Sequence, residues 1–92
     1  MSIQTDPEAI REFAEELTTM IIFLNGRLAD LSSNIARLGR SWQDEQYAQF
    51  KMDADRTSAK LAAYLDDLKK IRTQIQGDLE AAEAYQRSGG SL

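Results

Sequence analysis

Apolar residues recur along the first half of the chain at Ile10, Ala14, Leu17, Ile21, Leu24, Leu28, Leu31, Ile35, Leu38 and Trp42. The steps alternate four and three without a miss, the spacing of a helix that lays one seam against a partner helix. It predicts a helix over about 7–38, roughly 48 Å long at 1.5 Å per residue. Thr5-Asp6-Pro7-Glu8 supplies its start. Thr5 or Asp6 can cap the free amides, Pro7 suits the first helical position, and Glu8 lies near the positive end of the helix dipole.

A second seam follows at Tyr47, Phe50, Ala54, Thr57, Leu61, Tyr64, Leu68, Ile71, Ile75, Leu79, Ala82 and Tyr85. It thins between Ala54 and Ser58, where small side chains could receive bulkier ones from the first helix. No proline occurs after Pro7, so nothing halts this helix before Ser88-Gly89-Gly90-Ser91. The expected span is about 44–86, with 87–92 a flexible tail. Between the seams, Leu38-Gly39 reads as a helix stop. Ser41 can cap the restart with Asp44 in the capping-box position, or Asp44 itself can cap. A link of only 39–44 between two long helices folds them back on each other. The fold class is therefore all-α: one domain over 1–86, an antiparallel helix-turn-helix hairpin.

Two helices alone cover one stripe each. Met20-Ile21-Ile22-Phe23-Leu24 is apolar nearly all round the helix, and Phe13, Met20, Ile22 and Phe23 lie off the seam. These four are the candidate dimer interface. Burying them contributes on the order of 1.5–3 kcal/mol each, comparable with the whole stability of a small domain. The expected assembly is a four-helix bundle of two hairpins, a homodimer or a heterodimer with a related hairpin. Small residues beside the seam (Gly26, Ala29, Ser32, Ser33, Ala36) permit close backbone approach.

Composition narrows the chemistry. The chain has 92 residues with no cysteine and no histidine. It thus has no disulfide, no thiolate nucleophile, and neither the commonest general base nor the commonest transition-metal ligand. The acidic pairs Asp53/Asp55, Asp66/Asp67 and Glu15/Glu16 sit one or two positions apart, so on a helix each pair splays rather than converging on a metal or proton. Asp66 and Asp67 are spaced to support Lys70 instead. No glycine-rich phosphate loop is present. These features argue against an enzyme, a cofactor or a small-molecule substrate. Fifteen acidic and 11 basic residues, net charge −4, leave no basic face for nucleic acid. The N-terminus lacks the basic and apolar regions of a cleavable signal peptide. The longest apolar run, Met20 to Leu24, is far too short to span a bilayer. A membrane-surface role is disfavoured because the polar faces are not rich in Lys or Arg.

Trp42, the single tryptophan, falls at the break between the helices, where its ring can plug the closed end of the hairpin. The segment Trp42-Gln43-Asp44-Glu45-Gln46-Tyr47-Ala48-Gln49-Phe50, set between two long helices, resembles the WXG family of bacterial type VII secretion substrates, the early-secreted-antigen-like proteins. Trp42 and Phe50 match the family's tryptophan and the aromatic eight residues later, while Asp44 replaces the motif glycine. The resemblance covers about residues 7–86. It implies a small non-enzymatic protein secreted without a cleavable signal peptide, an effector or a carrier, pairing as a hairpin. It also implies a turn motif of Trp42, Asp44 and Phe50 available to a partner such as a secretion ATPase. Family members or their partners often carry a C-terminal Tyr-x-x-x-Asp/Glu export signal. Here Tyr85 is followed four positions later by Gly89, and Tyr64 by Leu68, so either a partner supplies it or the chain is a diverged relative exported differently or not exported. The alternative is a cytoplasmic helical adaptor that is not exported.

Overall fold

The computed structural model describes residues 6–89. Two helices, α1 (Pro7–Leu38) and α2 (Glu45–Arg87), pack against each other as an antiparallel hairpin. The molecule is a rod of 69 × 18 × 17 Å with a radius of gyration of 20.7 Å, where a compact chain of this length would have about 12 Å.

Both helix starts are set by aspartates. Asp6 accepts a hydrogen bond from the Glu8 amide (3.0 Å), with Pro7 in the first helical turn. Asp44, in extended backbone, accepts from the Tyr47 amide (3.0 Å). Of the two expected caps for α2, Asp44 thus holds the position. Ser41 instead donates its hydroxyl back to the Leu38 carbonyl at 3.3 Å. The amides of Arg40, Ser41 and Trp42 bond to the carbonyls of Arg37 and Leu38, which winds the chain tightly before it reverses.

The α1 seam packs only in part: Leu24, Leu31 and Leu38, all on the expected seam, are exposed. Ala14, Leu17, Ile21 and Ile35 are buried, and Leu28 packs against the core that Leu17 and Ile21 form with Leu65 of α2. The α2 seam is displaced. Leu65, outside the expected stripe, is its most buried residue at 5 % exposure. Phe50, Leu61, Tyr64, Ile71 and Tyr85, all on the expected stripe, are exposed, and so is Thr57. The seam really runs through Tyr47, Ala54, Ser58, Leu65, Leu68, Arg72, Ile75, Leu79 and Ala82, all buried or half-buried. A lone partner helix covers little more than one column of side chains. Apolar residues occupy both neighbouring columns (Tyr64 in one, Leu65 in the other), so spacing does not choose between them. Turning toward Leu65 brings Ser58 inward, with its hydroxyl buried and unpartnered among the described residues.

Surface charge follows helical spacing. Lys51–Asp55 (2.6 Å), Arg56–Asp53 (3.7 Å), Arg27–Asp30 (3.6 Å) and Lys69–Asp66 (3.9 Å) are local pairs. Asp66 thus meets Lys69 rather than Lys70. One pair crosses between helices, Arg11–Glu83 at 3.3 Å, beside the first turn of α1. Asp53 and Asp55 turn to different partners.

Candidate functional site: the elbow and the apolar face

Trp42 is half-buried at the reversal. Its ring lies 5.6 Å from Tyr47, edge-on at 61°, and 5.7 Å from Phe50 at 33°, while Tyr47 and Phe50 are 6.2 Å apart. These are the spacings at which aromatic pairs attract beyond simple burial. The Tyr47 hydroxyl donates to the Ile35 carbonyl at 2.9 Å, so one ring ties the first turn of α2 to the last turns of α1. Of the expected turn residues, Trp42 and Phe50 meet in this cluster and Asp44 caps the helix beneath it. Tyr47 completes the cluster and carries its one polar tether.

Gly39 has an unexpected reason to be glycine. Its φ of −63° is open to any residue. A Cβ there, however, would stand 2.5 Å from the Tyr47 hydroxyl and 2.7 Å from the ring carbon bearing it. The glycine makes room for tyrosine rather than for a left-handed turn.

Away from the elbow the hairpin has two unlike faces. Helical geometry, 100° per residue, places Phe13, Met20, Leu24, Leu31 and Leu38 along one flank of α1. It places Phe50, Leu61, Tyr64 and Ile71 along the flank of α2 on the same side. All nine are exposed, Tyr64 by 65 % and Ile71 by 45 %. At mid-length they open a groove of about 240 Å³ between the helices, lined by Leu24, Arg27, Leu28, Leu31, Leu61, Tyr64, Leu65 and Leu68. The opposite face carries Arg11, Thr18, Asn25 and Ser32 with Lys51, Asp55, Lys69 and Gln76. The Lys51 ammonium donates to Asp55, which raises its pKa above the ordinary lysine value.

The four residues expected at a dimer interface therefore separate. Phe13 and Met20 belong to the apolar face. Ile22, 67 % exposed, lies round the other flank of α1, and Phe23, 63 % exposed, points away from α2. Sequence reasoning missed Leu24, Leu31 and Leu38 of α1 and Leu61, Tyr64 and Ile71 of α2 as surface residues because it assigned them to the internal seam.

No group of three His, Cys, Asp or Glu is placed to hold a metal among the described residues. No helix among them is long and apolar enough to cross a membrane.

A family profile described as proteins of 100 residues with WXG matches residues 2–88. The chain belongs to the WXG100 family. WXG100 proteins are small, non-enzymatic helical proteins associated with type VII secretion, and they generally form dimers of helical hairpins. No curated protein and no solved structure matches this chain. In this WXG100 member the elbow departs from the name. Asp44 stands at the motif glycine and uses its carboxylate as a helix cap, while the space-making glycine is Gly39, on the other side of the tryptophan.

Proposed function

We propose that this WXG100 protein is a non-enzymatic substrate or secretion partner of a bacterial type VII-like system, working as a dimeric hairpin, either effector or carrier. The observation that carries the reading is the pairing of a family match across nearly the whole chain with a hairpin whose one face stays apolar and open. On this reading the chain leaves the cytoplasm without a cleavable signal peptide. The elbow of Trp42, Asp44 and Phe50, together with the C-terminal part of a partner's α2, forms the surface a secretion ATPase recognises. Gly89 stands where the family's export signal places an acid after Tyr85, so on this reading either a partner supplies that signal or the chain is exported by a different one.

The same glycine favours one alternative, a cytoplasmic adaptor that docks on a larger helical protein and is never exported. Fractionation of the native host separates the two. Export predicts the protein in culture medium, and its loss from the medium when the membrane ATPase gene is deleted. Recovery from washed cells alone, with that ATPase present, would overturn the secretion reading.

A further inference from the structure

We infer that the back of α1, the side turned away from α2, takes a helix of another protein that carries a Lys or Arg seven residues from a bulky apolar side chain. The surface stays free whatever covers the open apolar face, and the inference does not depend on the secretion reading.

On a helix, residues i, i+3, i+4 and i+7 bound a hole into which one side chain of a facing helix inserts. Thr19, Ile22, Phe23 and Gly26 bound such a hole, and all four are exposed. It lies roughly opposite the buried Leu17 and Ile21, and about 130° round α1 from Met20, Leu24 and Leu31 on the open face.

Gly26 makes this hole deep. A Cβ there would meet nothing within 4 Å, so, unlike Gly39, it makes room for no neighbour inside the hairpin. Its φ is not positive either. Glycine in a helix interior weakens the helix, and here the chain gains nothing from it. Outside, the absent side chain leaves bare backbone between two apolar walls, Ile22 and Phe23, the shape that receives a bulky apolar side chain.

The holes repeat along the helix with the heptad. One heptad earlier, Glu12, Glu15, Glu16 and Thr19 line a shallow depression. The three glutamates are exposed and have no ion pair among the described residues, and Glu12 and Glu16 repel across one turn. One heptad later, Gly26, Ala29 and Ser33 are small, and Asp30 already meets Arg27 at 3.6 Å. The unmatched negative charge therefore sits at the first hole, the apolar walls at the second and room for close approach at the third. Charge complementarity and the seven-residue repeat together select a helix with a cation at one knob and a bulky apolar side chain at the next.

The test uses two fluorescein-labelled helical peptides of about 21 residues, six turns, on an alanine and glutamine background. One carries Lys seven residues before Leu and the other Leu seven residues before Lys. One of the two should bind the full chain, and placing its Leu five residues from the Lys, round the far side of the peptide, should weaken binding about tenfold. Gly26→Leu fills the hole and should raise Kd about tenfold, with helical circular dichroism and melting temperature unchanged or higher. Glu12→Lys combined with Glu16→Lys should weaken binding to a similar degree at low salt and less at high salt, and a peptide with Glu in place of Lys should recover affinity for that variant. Tyr64→Asp, on the open face, should leave Kd unchanged. Failure of both peptides to bind, indifference to the spacing, or binding lost with Tyr64→Asp but kept with Gly26→Leu would overturn the inference.

Discussion

Gly39 and Tyr47 form a matched pair of residues. The tyrosine crosses from α2 to a backbone carbonyl of α1 only because the glycine offers no side chain. Gly39→Ala should push the ring aside and break its hydrogen bond, at a cost of about 1–2 kcal/mol. Thermal unfolding should show this loss, and Tyr47→Phe should remove most of the difference between glycine and alanine at 39. Asp44 permits a second residue-scale test. Replacing it with alanine removes the cap and should cost about 1 kcal/mol, whereas glycine, the family's own residue there, should cost only a few tenths. Ser58 offers a change of the opposite sign. Its buried hydroxyl lacks a partner among the described residues, so Ser58→Ala should stabilise by about 1 kcal/mol.

At the scale of the helix, α2 is the element whose orientation packing decided. Leu65 and Tyr64 are neighbours in sequence with opposite fates, 5 % and 65 % exposed. Leu65→Ala should cost about 2–3 kcal/mol by leaving a cavity beside Leu17 and Ile21. Tyr64→Ala should leave the stability of an isolated hairpin within about 0.5 kcal/mol, and should act on self-association instead. Denaturation at low protein concentration, compared with sedimentation at high concentration, separates the two effects. The helices themselves were legible from spacing alone. α1 begins and ends where its cap, proline and glycine predict, and α2 continues to Arg87 because nothing in its sequence interrupts it. The rotation of α2 was not legible. Tyr64 and Ile71 serve an internal seam as well as Leu65 does by periodicity, and only the shape of the facing helix discriminates among them.

For the whole molecule, the rod is too thin to bury its own apolar residues. A single hairpin has one contact line and no second layer, so its stability and its association are linked. Binding a partner only in the folded state shifts unfolding upward by mass action. Where the partner is a second copy, the midpoint of thermal unfolding should therefore rise with protein concentration. A melting temperature independent of concentration would contradict self-association. The elbow belongs to this scale too, because its aromatic cluster closes one end of the rod and sets the helices antiparallel.

Local chemistry and periodicity in the sequence were enough to specify two long helices, the reversal between them, the aromatic elbow and a surplus of apolar surface. Those properties depend on nearest neighbours along the chain: caps, breakers and a repeat of three and four. The tertiary structure decided which column of α2 faces inward, and hence which residues make the open face. It also decided that Gly39 serves Tyr47, and that Phe13 and Met20 share a surface from which Ile22 and Phe23 are turned away. Those outcomes depend on the fit between two helices, and a one-dimensional pattern with apolar residues on adjoining columns leaves that fit undetermined.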